Sequence, residues 1–334
     1  MRRLLRRHES YVFIAIILLT IVITALNPSF LTLENFFDII KSYSFMGIMA
    51  IGVLVVLISG GIDISFTAVA TVGEYVMAIF IMRYTGNIVL AFVISIAIGM
   101  VLGLVNAALI YFFNIPTVIA TIGTLNVFYG LLIVFSGGKW IYTLPEWFAR
   151  FAEIRVFTLY NTDGIAYGLS IITVIWIIVI AIAALILRFT VLGRSLYAVG
   201  GCGFDKGPAK RAGIDLFRVQ VFVYTFMGFT AGVAGVIQAL LVQTVAPNSI
   251  VGKELNVIAA VVLGGASLSG GTGTITGTIF GVMLLAILSN GLTLMRVPSY
   301  WYDVVIGLVI LASVSASALQ QKRKTQRAIA VEEA

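Results

Sequence analysis

The sequence is nearly devoid of the side chains that carry covalent and metal chemistry: it has one cysteine, Cys202, and one histidine, His8. A lone cysteine excludes intrachain disulfides, cysteine-based metal sites and a paired redox motif. His8 lies in a basic N-terminal stretch and the apolar runs hold no paired acids, so no Ser/His, Cys/His or metal-ligating constellation can be assembled. An enzyme is therefore not expected. A Gly-x-x-x-x-Gly-Lys-Ser/Thr phosphate loop is also missing, which removes nucleotide hydrolysis and leaves the chain without an expected cofactor of its own. Charge is scarce too. Only 10% of residues are Asp, Glu, Lys or Arg and 60% are apolar, against about 25% and about 45–50% in an average soluble domain. A soluble fold could not cover that much apolar surface.

What the sequence has instead is length between charges. A helix needs about 20 predominantly apolar residues to cross the hydrocarbon core. Residues 42–62, 84–138, 164–187, 219–252, 255–295 and 304–321 contain no charge, and the first apolar run covers 11–33. That first run follows an Arg-rich start and lacks a small-residue cleavage site, so it is read as a retained span rather than a signal peptide. Splitting the runs at Gly, Pro and Asn predicts ten spans, near 11–26, 44–60, 65–82, 88–112, 117–136, 166–187, 219–243, 255–271, 274–294 and 302–319. The segments are continuous apolar runs rather than alternations of apolar and polar residues, which excludes a β-barrel. The expected fold class is an all-α polytopic membrane protein of about ten transmembrane helices.

Charge sets its orientation. Fourteen of the 21 basic residues lie in three places: Arg2 to Arg7, Lys322 to Arg327, and Arg188, Arg194, Lys206, Lys210, Arg211 and Arg218 between spans six and seven. Basic residues stay cytoplasmic, so both termini and the central segment 188–218 are expected on that side. The net charge of +7 is a topology signal and implies no nucleic-acid partner.

One membrane domain over 1–334 is expected, ending in a polar cytoplasmic tail, 320–334. The longest outward loop, about 137–165, carries Trp140, Pro145, Trp147 and Tyr160, a composition suited to an element at the interface. Two weakly similar halves are visible: Ser59-Gly60-Gly61-Ile62-Asp63-Ile64-Ser65 ends span two and Gly264-Gly265-Ala266-Ser267-Leu268-Ser269-Gly270-Gly271 ends span eight. Gly-interrupted spans at matching places are a property of transporters, because unwound backbone inside a membrane is tolerated where it lines a cavity. Close helix packing through small residues explains the same glycines equally well.

The central segment reads Gly193-Arg194-Ser195-Leu196-Tyr197-Ala198-Val199-Gly200-Gly201, then Pro208, Lys210, Arg211 and Ala212-Gly213-Ile214. A basic, Gly-bounded segment between membrane helices can dock a cytoplasmic partner, or can simply hold topology. Here the chain resembles the simple-sugar (ribose-type) permeases of ATP-binding-cassette (ABC) importers, and is similar also to the autoinducer-2 import permeases. Residues 193–201 and 212–214 match that family's coupling region, Gly60-Gly61-Ile62-Asp63-Ile64-Ser65 its end of span two, Ile115 to Thr124 and Ser136 to Lys139 its fifth-span region, and 257–311 its C-terminal part. Two departures stand out: Cys202 replaces the usual Asn, and the segment between Gly201 and Gly213 is longer and contains Gly207-Pro208. Proline fits only the first turn of a helix, so the coupling helix is expected to start near Pro208.

The resemblance implies a pore of two permease subunits, identical or not, driven by a cytoplasmic ABC ATPase that consumes the ATP and fed by an extracytoplasmic solute-binding protein, in the cytoplasmic (inner) membrane of a prokaryote. It makes Gly193, Arg194, Tyr197, Gly200, Gly201, Pro208, Lys210, Arg211 and Gly213 the residues expected to couple to the ATPase. The expected cargo is a monosaccharide, with an autoinducer-2-like signal or a branched-chain amino acid as alternatives. An ion-coupled secondary transporter would need an embedded carboxylate, for which Glu74 in span three is the candidate. Polar groups within spans are costly and thus informative. Glu74, Asn106, Asn126, Gln238 and Asn290 are the candidate path residues, each with interhelical hydrogen bonding as the competing reading. Asp63 is expected to cap span three.

Overall fold

The computed structural model describes residues 8–84, 86–161, 163–203, 207–309 and 311. The basic N-terminal residues, Lys206, most of the expected tenth span beyond 309 and the tail 320–334 lie outside the described residues. In chain order the helices are α1 (His8–Leu26), α2 (Leu33–Ile58), α3 (Phe66–Arg83), α4 (Ile88–Phe113), α5 (Thr117–Ser136), α6 (Glu146–Glu153), α7 (Ile171–Phe189), α8 (Val191–Gly201), α9 (Gly207–Arg211), α10 (Leu216–Val242), α11 (Glu254–Leu263) and α12 (Ile275–Leu294). Residues 302–309 are helical as well. Among the described residues, eight of these helices (α1, α2, α3, α4, α5, α7, α10 and α12) are long and apolar enough to cross a membrane.

Several boundaries differ from the sequence expectation. Helix α2 starts at Leu33, capped by the Thr32 hydroxyl, which accepts from the Asn35 amide. Asp38 and Lys41 therefore ride on the helix; a charge ends an apolar run but not a helix. Of the expected span 255–271, only Glu254–Leu263 is helical. At 1.5 Å per residue that is about 15 Å, half the hydrocarbon thickness of about 30 Å. Residues 166–167, expected in span six, pair instead with Leu159–Tyr160 in a small antiparallel hairpin. The central segment is mostly helix, in α8 and α9, with Pro208 in the first turn of α9.

Inter-helix contacts sort the helix ends onto two faces. On one, Glu9 of α1 accepts from Thr276 at the start of α12, and α8 lies against the 59–61 and 270–273 links. On the other, Asn27 donates to the Leu294 carbonyl, Asn161 to Glu34, and Tyr75 to the Lys139 carbonyl. Arg194, Lys210, Arg211 and Arg218 are exposed on the first face, the face on which the basic termini and central segment of the sequence lead one to expect the cytoplasm.

The core is α10, packed on α4, α2 and α3. Lipid tails are as apolar as leucine, so helices associate in a bilayer by close fit rather than by hydrophobic burial. The α4–α10 pair achieves this with small residues one turn apart: Ser95, Gly99 and Gly103 face Tyr224, Gly228 and Gly232. A β-carbon on Gly99 would overlap the Gly228 carbonyl and one on Gly228 the Gly99 carbonyl, while Ser95 Oγ donates to the Gly232 carbonyl at 2.8 Å. By contrast α1 lies at the periphery, against α12, with most of its apolar surface outward.

Candidate translocation path and coupling surface

The half-length of α11 has a visible cause. Gln243 takes a left-handed conformation (φ 57°) and ends α10. The chain then turns back inward. Val245 exchanges backbone hydrogen bonds with Ile141 at 2.8 and 2.9 Å, Ser249 Oγ donates to Glu74 Oε2 at 2.6 Å, and Glu254 accepts from the Gly252 amide at 3.0 Å and from the Thr67 hydroxyl. Glu74 is the ninth residue of the eighteen in α3 and is fully buried. Residues 243–253 thus re-enter to mid-depth, pinned by two buried carboxylates, and α11 begins inside the membrane.

This brings Lys253 inside the bundle, against α2. Its Nζ lies 5.4 Å from the centroid of the Phe45 ring, an arrangement in which the ring quadrupole attracts the cation. Both line an open cavity of about 590 Å³. Helix α2 contributes Asp38, Ser42 and Tyr43, α10 Gln238, α11 Asn256, α12 Ser289, Asn290 and Thr293, and the 302–309 helix Tyr302 and Asp303. The wall is rich in amides and hydroxyls, with one ammonium and two carboxylates. Such a surface offers donors and acceptors to a polyol without a dominant charge.

Of the residues singled out by sequence, Gln238 and Asn290 lie on this cavity. Asn290 is also paired: it and Asn35 donate to each other at 2.9 and 3.0 Å, tying α12 to α2. Glu74, Asn106 and Asn126 are elsewhere. Glu74 holds the re-entrant segment. Asn106 is buried and donates to Ser65 Oγ at 2.7 Å, and Ser65 in turn donates from both its amide and its hydroxyl to Asp63 at 2.7 Å. Asp63 thereby holds the turn into α3, whose N-cap is Ser65 itself. Asn126 sits on the outward face of α5, its amide donating to the Ile122 carbonyl. The sequence alone does not single out Lys253, Tyr43 or Ser289: the first merely separates two apolar runs and the others are ordinary residues within such runs.

The residues expected to couple to an ATPase divide into two sets. Thr190 ends α7 and caps α8 through the Gly193 amide, and a β-carbon on Gly193 would crowd the carbonyls of Ile186 and Leu187 at 2.5 Å, so glycine is what allows α8 to fold under α7. Gly193, Tyr197 and Gly200 face the membrane helices. Tyr197 donates its hydroxyl to the Gly273 carbonyl at 2.9 Å, and burial pushes its phenol pKa up, keeping it a neutral donor. Arg194, Gly201, Pro208, Lys210, Arg211 and Gly213 are exposed. Gly213 (φ 80°) closes α9 by donating to the Lys210 carbonyl. Asp215 then starts α10, accepting from the Arg218 amide and pairing with its guanidinium at 3.0 Å. Among the described residues there is no group of three or more His, Cys, Asp or Glu that could hold a metal ion.

Membrane-crossing helices, a half-helix entered from mid-membrane and a polar cavity between them define a multi-pass transport permease. The chain belongs to the family of the permease component of the branched-chain amino acid transport system, whose model matches residues 35–314. It is 33% identical over 308 residues to the ribose import permease RbsC of Escherichia coli K12, with 92% of each chain covered. Against the autoinducer 2 import system permease LsrC of Enterobacter sp. strain 638 it is 33% identical over 312 residues, covering 93% of this chain and 87% of the relative. RbsC of Haemophilus influenzae is 33% identical over 310 residues. No solved structure matches the chain.

Proposed function

We propose that this chain is the membrane-spanning permease of an ABC importer for a neutral monosaccharide, with ribose as the first substrate to test. The observation that carries the reading is a cavity whose partly apolar wall includes eight amide- or hydroxyl-bearing side chains, in a chain one-third identical over nine-tenths of its length to a ribose import permease. In this reading the whole chain is one membrane domain. Two permease subunits form the pore, a separate ATPase binds segment 188–218 and consumes the ATP, and a solute-binding protein docks on the outer face, where α6 and the paired strands Leu159–Tyr160 and Ala166–Tyr167 lie. The chain itself needs no cofactor, and its membrane is the cytoplasmic one of a prokaryote. Gln238, Asn256, Ser289, Asn290 and Lys253 are the path residues, and Arg194, Lys210 and Arg211 the docking residues.

The similarity to LsrC favours an autoinducer-2-like signal as the second reading. An ion-coupled transporter is disfavoured because Glu74 is committed to Ser249 rather than to the cavity. The test is to purify the tagged chain from its native membrane in mild detergent, identify what accompanies it, and measure uptake of labelled ribose with unlabelled autoinducer-2 as competitor. A co-purifying ATPase, lost when residues 206–213 become a Gly/Ser linker, supports the importer. Purification without an ATPase, with uptake following an ion gradient, overturns it.

A further inference from the structure

Helix α1 packs on α12 rather than on α2. At one end of the pair Glu9 accepts from the Thr276 hydroxyl at 3.0 Å, and at the other the Asn27 side-chain amide donates to the Leu294 carbonyl at 3.1 Å. Between these ties the Phe13 and Phe280 ring centroids lie 5.5 Å apart, and a β-carbon on Gly291 would fall 2.4 Å from the Ile23 side chain. The two helices are therefore in close contact along their length. On the side toward α2 the fit stops. Ile23, Phe30, Ile39, Ala286 and Ile287 form a small hydrophobic cluster separate from the main core. Beside it a groove of about 310 Å³ stays unfilled between α1, the turn Pro28–Leu31, α2 and α12. Its floor is Phe30, Ile39 and Ile287, all buried, and its rim is Phe13, Leu31 and Phe36, all exposed.

Water does not suit this groove. Among the described residues that line it, Thr20 and Thr32 are the only ones with a side-chain hydroxyl or amide, and the Thr32 hydroxyl already donates to the Ser29 carbonyl and accepts from the Asn35 amide. A buried water needs about two to four polar partners, and an engineered apolar cavity of about 150 Å³ stays dry and takes up benzene instead. Hydrocarbon is at hand. Helices α1, α2 and α12 are each long and apolar enough to cross a membrane, so lipid tails lie against the exposed rim. Helices in a bilayer associate by close fit, and an empty slot between them forfeits dispersion contacts on every wall. From Phe13 to the end of α1 at Leu26 is about 20 Å of helix, some two-thirds of the hydrocarbon core of about 30 Å. The slot has the chemistry and the length of an acyl chain.

We propose that this groove is a lipid site, in which one acyl chain of a bilayer phospholipid lies between α1, α2 and α12 and completes their packing. The lipid is recognised by its hydrocarbon, since the floor and rim offer apolar side chains and no charge. It braces α1 on the side that α12 leaves uncovered. Because the cluster under the groove is separate from the main core, changes in the groove leave the packing of α10 on α2, α3 and α4 untouched. The site depends on the chain crossing a bilayer and not on what the chain carries, so it stands apart from the importer reading.

The test uses the full chain, purified in detergent, stripped of native lipid and incubated with palmitoyl-oleoyl phosphatidylethanolamine, with retained lipid read by native mass spectrometry. A single lipid per chain should survive conditions that remove the rest. Thr20→Phe places a ring in the groove and should lower retention at least about tenfold, because the added atoms take the space the acyl chain needs. If that variant does not fold, Phe36→Ala, at an exposed rim position, serves in its place and should lower retention severalfold. Val93→Phe adds a ring at an exposed position of α4, outside the groove, and should leave retention unchanged. Absence of retained lipid in the parent, or equal retention in all variants, overturns the proposal. So does a rapid copy-to-copy disulfide in native membranes from Leu31→Cys in a Cys202→Ser background, which would make the groove an interface between two copies of this chain.

Discussion

Asn35 of α2 and Asn290 of α12 donate to each other through their side-chain amides, at 3.0 and 2.9 Å, and Asn290 also lines the cavity. Neither amide reaches this arrangement alone, and the pair holds the two walls at a set distance.

A double-mutant cycle with Asn35→Ala and Asn290→Ala, measured by unfolding in detergent, is expected to give a coupling energy of about 1 kcal/mol, the usual range for interhelical hydrogen bonds in membranes. Additive effects would mean that the pair does not hold the walls together.

Glu74→Gln keeps the acceptor for Ser249 and removes the ionisable group. Ribose uptake by this variant should stay within about twofold of the parent. Glu74→Leu leaves the Ser249 hydroxyl without its acceptor and should lower stability by about 1–3 kcal/mol. Loss of uptake in Glu74→Gln with intact stability would instead mark Glu74 as an ion site.

Lys253→Met retains length and apolar stem but loses the ammonium over Phe45. Uptake is expected to fall at least about tenfold, a barrier rise of about 1.4 kcal/mol, while the amount of ATPase that co-purifies stays unchanged. An unaltered uptake rate removes Lys253 from the path.

Gly228→Val drives two methyl groups into the Gly99 carbonyl. Overpacking of a close-fitted interface costs about 1–3 kcal/mol and often more, and here the obstacle is backbone. The variant should be lost from the monodisperse peak in detergent size-exclusion chromatography, whereas Gly130→Val, on the open face of α5, should remain in it.

Arg194→Glu with Arg211→Glu reverses charge on the exposed cytoplasmic face without touching a membrane contact. Co-purifying ATPase should drop severalfold. The same reversal at Arg150, which pairs with Glu146 on the opposite face, should leave ATPase recovery unaltered and is the control for general damage.

The apolar helices and their order were legible in the sequence because each depends on local quantities, the length of an apolar run and the charges that bound it; their number was not, since ten spans were expected and eight helices among the described residues are long enough to cross, 255–271 being reduced to a half-length helix. The family resemblance was legible for a similar reason, as short motifs read in order. Where boundaries failed, a local rule was asked to report something non-local. Asp38 and Lys41 interrupt hydrophobicity but leave hydrogen-bond geometry intact, so α2 runs through them.

The sequence by itself determined that this is a polytopic helical membrane protein whose basic loops face one side. Only the tertiary structure decided that Lys253 stands at mid-depth while Glu74 is locked away from the cavity, and that Ile58, Gly200 and Gly271 meet. Those placements depend on how helices pack once no water is present to drive them together. In a bilayer, a buried carboxylate or a bare glycine backbone goes wherever a matching donor or a flat surface awaits it. That partner can lie more than a hundred residues away.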